Sequence, residues 1–353
     1  MLLILIISAS ASCKNYPKSR IKVKQEHFGN YQGKEVFLLT LTNKAGNLLI
    51  ITNFGAKINR IEVPDRNGIK DNVTLGHDNF EETLNGSKSA GAIIGRYANR
   101  IARGRFTLDN IEYVLNLNSG MNTIHGGSVG WSSRIWNTEI IKKSEFPAVK
   151  FSYFSPDMEE GFPGNVNIEV VYTWTDNNEI VIDYTYSTDR KTVVSVTNHA
   201  FFNLRGAGKG NILDYVLTLK ASAFTPVDSL MIPTGEIRPV AGTPFDFTQP
   251  RIIGERINED YDQLGFGHGY DHNYALDNRE EPDVTAYDTV SGRVLEVFTD
   301  QPGMQLYTTG NRSWVCFEAG HFPDSPNHNN FPTTVINPGE IVRSKTIYKF
   351  STK

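Results

Sequence analysis

A histidine and a glutamate are the residues of this sequence best suited to moving protons. His199 lies in segment 197–204 and Glu318 in segment 317–324, and both segments mix polar and aromatic residues in a way that core packing does not require. A histidine titrates near neutral pH, and a carboxylate is a natural partner for it in acid–base catalysis. The pair therefore predicts a reaction in which one proton is taken from a substrate and another is given back. A satisfied core histidine is the alternative for His199.

The segments that must position this pair are predicted to be strands. Runs of alternating apolar and β-branched residues recur along the chain, and 20 Phe and 15 Tyr favour strands over a helical bundle. The turn clusters at 43–47, 109–110 and 291–292 join neighbouring runs into hairpins. Helical patterns are confined to 80–84 and 252–257. The predicted strands are 36–42, 48–54, 106–108, 111–115, 168–174, 180–186, 193–196, 284–287, 293–298 and 344–350.

Composition and charge limit which fold classes and which kinds of binding partner are possible. No linker or repeat divides the 353 residues, so residues 20–353 are predicted to form one all-β domain, a large antiparallel β-sandwich with few short helices. The net charge of −4 is scattered, without the basic stripe that nucleic acid requires. A broad concave sheet face that carries His, Asn, Asp, Arg and aromatic residues suits a polyhydroxylated small molecule.

The N-terminus predicts export. Residues 1–12 form a short apolar run that ends in small residues, as in a signal peptide, and it is too short to span a bilayer. Cys13 follows directly and would be the first mature residue of a lipoprotein, although no Lys or Arg precedes the run and Ser10 replaces a large aliphatic residue. We expect an exported protein, periplasmic or lipid-anchored at Cys13. An ordinary cleaved signal peptide and a misassigned start codon are alternatives, and a cytoplasmic location is the lesser alternative.

Several motifs, in a fixed order, resemble those of the aldose 1-epimerases, also called galactose mutarotases. The resemblance covers roughly residues 25–350, and it implies the galactose mutarotase type of β-sandwich, a supersandwich. The motifs are Gly-Arg-Tyr-Ala-Asn-Arg-Ile at 95–101, Asn-Thr-Ile-His-Gly-Gly at 122–127, Glu-Glu-Gly-Phe-Pro-Gly at 159–164, and segments 197–204, 232–235, 242–247, 269–274 and 317–327.

The resemblance implies an isomerase that interconverts the α and β anomers of free hexoses such as galactose and glucose. The hemiacetal ring opens, the C1–C2 bond rotates and the ring closes again, which requires a base and an acid but no cofactor and no metal. By position, Glu318 matches the general base and His199 the general acid, and we expect them on opposite sides of the sugar. We also expect a nearby cation to keep Glu318 ionised and a nearby carboxylate to keep His199 protonated.

Five further residues match sugar-binding positions of the family. Asn99, Arg100 and Asp271 would bind hydroxyl groups, His125 would hold the ring-oxygen side, and Gln305 would be a polar pocket residue. Each has a structural alternative: Arg100 as a surface ion-pair residue, Asp271 in an Asx turn and His125 as the cap of a turn. The segment at 159–164 is expected to be a structural turn that lines the pocket.

Two departures from the family pattern and two rival functions stay open. Gly320 and His321 stand where the family usually has a glutamine two residues after the base, and segment 305–318 is shorter than in many relatives. Either change could alter sugar preference. A carbohydrate-binding protein without turnover would need neither proton carrier, and a glycosidase or lyase would need a second carboxylate, for which Asp271 is the candidate. The expected partner is the sugar alone, bound by a monomer or homodimer. Cys316 is interpreted as a buried structural thiol.

Overall fold

A computed structural model describes residues 22–277 and 281–353, which fold mainly into strands. The predicted signal peptide and Cys13 lie outside the described residues. The three α-helices are short: α1 (Phe80–Asn85), α2 (Ile253–Arg256) and α3 (Asp262–Gly267). The first two confirm the predicted helical segments. Across the two described ranges, no helix combines the length and the apolar character needed to cross a membrane.

The strands are antiparallel to their neighbours throughout the large sheets, which confirms the predicted all-β class. In chain order they are β1 (Lys22–Tyr31), β2 (Lys34–Thr42), β3 (Leu48–Thr52), β4 (Lys57–Pro64), β5 (Lys70–Asn72), β6 (Ile93–Ile94), β7 (Arg100–Ile101), β8 (Arg105–Leu108), β9 (Ile111–Val114), β10 (Thr123–Ile124), β11 (Asn137–Ile140), β12 (Ala148–Ser155), β13 (Val166–Trp174), β14 (Glu179–Thr188), β15 (Thr192–Val193), β16 (Thr197–Asn198), β17 (Phe201–Phe202), β18 (Tyr215–Leu219), β19 (Ala223–Thr225), β20 (Arg238–Pro239), β21 (Arg251–Ile252), β22 (Asp271–Ala275), β23 (Val284–Asp288), β24 (Arg293–Thr299), β25 (Gly303–Thr308), β26 (Val315–Gly320), β27 (Val335–Ile336) and β28 (Ile341–Thr352).

Three sheets form the body of the domain. The first contains β1 to β5 in chain order, and the second has nine strands in the order β11-β12-β13-β14-β28-β24-β23-β18-β21. The third has six strands in the order β17-β26-β25-β22-β19-β20. Apolar side chains from all three sheets meet in one buried cluster, so the sandwich has a continuous core.

Hydrogen bonds from two aromatic side chains of β13 tie the first sheet to the second. The Tyr172 hydroxyl donates to the carbonyl of Ala56 at 2.8 Å, and the indole N–H of Trp174 donates to the carbonyl of Asn47 at 3.0 Å. Both side chains are fully buried. Their polar atoms therefore have the partners that burial requires, and the two sheets are held in register.

The turn chemistry of the hairpins follows the sequence closely. Asp109 and Asn110 both have positive φ, 49° and 64°, which is the conformation of the two-residue type I′ turn between β8 and β9.

The predicted strand at 193–196 is wrong in extent, because β15 ends at Val193. Val194 and Ser195 then donate their backbone N–H groups to two different segments, at Thr334 and Arg96, rather than to one partner strand.

The motif at 95–101 contributes a structural arginine, and the motif at 159–164 supplies much of its binding site. The Arg96 guanidinium is buried, and burial lowers its pKa to about 10. None of residues 159–164 lines the cavity described below, so the prediction that this segment lines a pocket is wrong. The acceptors of Arg96 are the carbonyl oxygens of Ser155, Pro156, Phe162, Pro163 and Gly164 and the hydroxyl of Ser155.

Replacement of Arg96 by methionine is expected to lower the free energy of unfolding by about 3 kcal/mol or more. The substitution leaves the buried carbonyl oxygens of Pro163 and Gly164 without their guanidinium donor, whereas those of Pro156 and Phe162 keep a backbone donor. Chemical denaturation followed by circular dichroism measures the change. The control is Arg343→Met on the exposed side of β28, where we expect a change within about 0.5 kcal/mol. Equal stability of the two variants would show that the Arg96 hydrogen bonds contribute little.

Candidate active site

One face of the six-stranded sheet collects the acidic and polar residues of the site. Gln305 of β25 lies directly opposite Glu318 of β26, while Tyr307 lies opposite both Asp271 of β22 and Cys316 of β26. Residues that face each other across a ladder, and residues two apart along a strand, share one face of the sheet. Glu318, Gln305, Asp271, Tyr307 and Cys316 are therefore neighbours on one surface.

His199 reaches this face from the turn between β16 and β17. Its backbone N–H donates to the carbonyl of Ala92 at 2.9 Å, and its own carbonyl accepts from the N–H of Gly91 at 2.8 Å. Its ring stacks on Phe201 with centroids 4.9 Å apart and an angle of 14° between the planes. The Nε2 atom of His199 lies 3.4 Å from Oε1 of Glu318. The two predicted proton carriers, distant in sequence, therefore meet in the fold.

Asn99 and His125 position each other at the junction of β7 and β10. The N–H of His125 donates to the carbonyl of Asn99 at 3.0 Å, and the N–H of Asn99 donates to Nδ1 of His125 at 3.2 Å. Because Nδ1 accepts this bond, the proton of a neutral His125 ring is on Nε2. Burial, together with His199 and Arg100, lowers the pKa of His125 well below its ordinary value, so the ring is a neutral donor.

Asp271 is held from two sides by residues predicted to bind sugar. Nε2 of Gln305 donates to Oδ1 of Asp271 at 2.6 Å, and Nη1 of Arg100 lies 3.9 Å from Oδ2. Burial raises the pKa of Asp271, whereas Arg100 and the Gln305 bond oppose that increase. The geometry differs from an Asx turn, because the partner of Oδ1 is a side chain 34 positions away. Arg100 is also largely buried, which does not fit the alternative of a surface ion-pair residue.

These side chains surround a cavity of about 220 Å³. Six of the seven predicted site residues line it, and Gln305 lies behind Asp271 rather than in the wall. Ile124 and Phe201 belong to motifs already quoted, whereas Tyr307 lies outside them and Ser87 and Ser89 come from a loop that carries no such signal. The lining residues are Ser87, Ser89, Asn99, Arg100, Ile124, His125, His199, Phe201, Asp271, Tyr307 and Glu318.

The protonation states of the pair differ from the prediction. Burial raises the pKa of Glu318 well above its ordinary value, and Asp271 adds to this increase while Arg100 opposes it. Burial lowers the pKa of His199 to about 4. The expectation that neighbouring charges keep Glu318 ionised and His199 protonated is therefore wrong in direction, because the effect of removal from water on both pKa values outweighs the attraction of neighbouring charges. Burial thus shifts both pKa values toward the uncharged form of each group, a protonated Glu318 and a neutral His199.

The expected placement of acid and base on opposite sides is also wrong. With 3.4 Å between Nε2 of His199 and Oε1 of Glu318, the two groups lie side by side and face one region of the cavity. The Nδ1 atom of His199 is buried and has no hydrogen-bond partner among residues 22–277 and 281–353. His199 lines the cavity and its Nε2 contacts Glu318, which distinguishes it from a histidine confined to the core.

Known proteins match this chain over most of its length. The aldose 1-epimerase family model covers residues 38–349. Galactose mutarotase of Bos taurus is 40% identical over 319 residues, which are 85% of this chain and 90% of that protein. Aldose 1-epimerase of Escherichia coli K12 is 34% identical over 337 residues, 90% of this chain and 96% of that protein. The crystal structure of galactose 1-epimerase from Lactobacillus acidophilus NCFM superposes with a TM-score of 0.85 at 26% identity, covering 94% of this chain and 99% of that one. The chain belongs to the aldose 1-epimerase family.

Proposed function

We propose that this protein is an isomerase that interconverts the α and β anomers of free hexoses, with galactose and glucose as substrates. The observation that carries the proposal is the 3.4 Å contact between His199 and Glu318 in the wall of a polar cavity. A hemiacetal has its ring oxygen and its hydroxyl oxygen on the same carbon, so an acid and a base that lie side by side can reach both. The side-by-side geometry thus suits ring opening.

The reaction needs no net change in protons. In the reactive form of the pair, the single proton is on His199 and Glu318 is a carboxylate. Glu318 takes the proton of the C1 hydroxyl while the bond between C1 and the ring oxygen breaks, and His199 gives its proton to that oxygen. Rotation about C1–C2 presents the other face of the aldehyde, and reclosure reverses both transfers. The pair returns to its starting state.

The remaining cavity residues have binding roles in this proposal. His125 presents an Nε2–H donor, which suits the ring oxygen or a neighbouring hydroxyl. Arg100 and Asp271 form a donor and an acceptor for adjacent hydroxyl groups, and Asn99 adds an amide at the same rim. Gln305 acts through Asp271 by fixing the orientation of its carboxyl group. Phe201 and Tyr307 offer apolar surface to the C–H groups of the sugar.

The pH dependence of kcat/KM should be bell-shaped, because the pair works only with one proton. On the acid side, His199 with its pKa lowered to about 4 gains the second proton, so activity is lost only well below the ordinary histidine range. On the alkaline side, activity is lost as the last proton leaves through the raised pKa of Glu318. Rates measured across pH by polarimetry in matched ionic strength check this. An acid limb centred on the ordinary histidine pKa would contradict it.

Polarimetry on freshly dissolved α-D-galactose and α-D-glucose tests the proposed function. The protein is expected to speed the decay of optical rotation above the buffer rate for at least one of the two sugars. A carbohydrate-binding protein would bind the sugar, as seen by calorimetry, and leave the decay at the buffer rate. That result would replace the isomerase with the binding function. Comparison of the two sugars also gives the sugar preference, which Gly320 and the short segment 305–318 are expected to influence.

Export is proposed on the N-terminal sequence alone. Residues 1–12 would be removed and Cys13 would become the first mature residue, with or without a lipid. Mass spectrometry of the mature N-terminus distinguishes a diacylated Cys13 from an ordinary cleaved end and from an intact Met1. Light scattering after gel filtration decides between the proposed monomer and homodimer.

A further inference from the structure

A third side chain that could bind a metal lies beside the proposed catalytic pair. Cys316 is on the same sheet face as Glu318, two residues before it, and is fully buried. Ligand atoms of His199, Cys316 and Glu318 all lie within 4.8 Å of one another. Within residues 22–277 and 281–353, no other three His, Cys, Asp or Glu side chains come together in this way.

One of the three separations matches that of a tetrahedral zinc site, and the other two are bounded by 4.8 Å. Two ligands bound to zinc at about 2.0–2.1 Å with a tetrahedral angle between them are about 3.3 Å apart. The nitrogen of His199 and the oxygen of Glu318 are already 3.4 Å apart. A thiolate, with its bond of about 2.3 Å, would need a separation of about 3.6 Å from each of them. Sγ of Cys316 lies within 4.8 Å, so a small side-chain movement completes the set.

We propose that His199, Cys316 and Glu318 form an inhibitory zinc site that competes with the sugar. One nitrogen, one sulfur and one oxygen donor suit zinc and do not suit magnesium or calcium, which prefer oxygen ligands alone. The fourth coordination position faces the cavity that His199 and Glu318 line, where water could bind. Zinc would displace the thiol and carboxyl protons to the buffer, and it would occupy the lone pairs that proton transfer uses.

Cys316 is the one ligand of this zinc site that has no role in the proposed catalysis, so its replacement tests the metal site separately. Its side chain packs in an apolar cluster with Ala90 and Phe201, and it is not part of the cavity wall. Replacement by alanine therefore removes one zinc ligand and leaves the acid, the base and the sugar contacts in place. Cys316→Ser is the second variant. Its side chain is closer in size to cysteine, so it controls for any packing defect caused by the alanine.

Cobalt spectroscopy tests the site without reference to enzyme activity. Metal-free protein titrated with Co²⁺ is expected to develop a thiolate-to-cobalt charge-transfer band in the near ultraviolet, and Zn²⁺ should abolish it. Neither Cys316→Ala nor Cys316→Ser should show the band. Its absence from the native protein under reducing conditions would overturn the proposal, as would an equal band in the alanine variant.

Zinc inhibition tests the competition, and this arm rests on the proposed function. Micromolar Zn²⁺ is expected to slow native anomerisation, EDTA should restore it, and raising the galactose concentration should raise the zinc concentration for half-inhibition. Cys316→Ala should keep its basal rate and need at least about 10-fold more zinc. Equal zinc sensitivity of the two proteins would overturn the proposal. A cobalt band in a protein with no anomerase activity would instead reject the proposed function and leave the metal site standing.

Discussion

Replacement of Glu318 by glutamine is expected to lower kcat/KM for anomerisation by about 100- to 10,000-fold. The amide has nearly the same shape and keeps a hydrogen-bonding group in the buried position, but it cannot accept the C1 hydroxyl proton. Because burial already favours the uncharged form of Glu318, the substitution should not lower the free energy of unfolding. Polarimetry or magnetisation-exchange NMR on galactose gives the rate, and thermal unfolding gives the stability.

A second buried carboxyl group provides the matched control for Glu318. Asp283 is buried, and burial raises its pKa to about 6, but it accepts a hydrogen bond from the N–H of Thr299 and is not in the cavity wall. Asp283→Asn should leave kcat/KM unchanged. A large loss in both variants would mean that replacement of a buried carboxyl group in general, rather than removal of the base, slows the reaction. A Glu318→Gln variant with the native rate would exclude Glu318 as the base.

Replacement of His199 by asparagine is expected to cost a similar factor, about 100- to 10,000-fold in kcat/KM. Asparagine can donate a hydrogen bond to the ring oxygen but cannot transfer a proton to it. The acid limb that His199 gives to the pH profile should disappear as well, because the group with the pKa of about 4 is gone. Initial rates across pH, measured by polarimetry, provide both results.

His272 is the matched control for His199. It is also fully buried, and burial lowers its pKa to about 3, but its ring packs against Phe245, with centroids 4.7 Å apart, and does not line the cavity. His272→Asn is expected to keep the native kcat/KM when rates are normalised to folded protein. Equal losses in the two histidine variants would indicate a general packing effect, and an unchanged rate in His199→Asn would exclude it as the acid.

The sequence was sufficient to predict ten of the 28 strands in the described residues, several of the longest among them, and the site residues that lie in motifs. Alternation of apolar residues predicted β13 and β14 to within two residues at each end, because a half-buried strand imposes a period of two. The strand β1 was missed, since Lys22–Tyr31 is rich in charged and polar residues. Pairing with β2 along its length holds this segment as a strand. The helix α3 was missed because Gly265 and Gly267 weaken its helical propensity.

Features that depend on distant contacts could not be predicted. Ser87 and Ser89 reach the cavity through a loop whose Lys88 carbonyl accepts a hydrogen bond at 2.9 Å from the buried ammonium of Lys57, and no local pattern records that contact. The protonation of Glu318 and His199 depends on how completely the sandwich removes them from water. Cys316 lies beside Glu318 and His199 because the register of β25 and β26 places it on the same face of the sheet as Glu318. These features follow from distant contacts, strand register and burial in three dimensions rather than from residue type.

A double-mutant cycle on kcat/KM is the most direct test of the claim that His199 and Glu318 act on one sugar as a unit. The native protein, His199→Asn, Glu318→Gln and the double variant are compared by polarimetry on α-D-galactose. Groups that work in a single proton-transfer step lose their effects together, so the double variant is expected to be about as slow as the slower single variant. If the two losses multiply, the residues act independently, and the shared-proton mechanism is wrong.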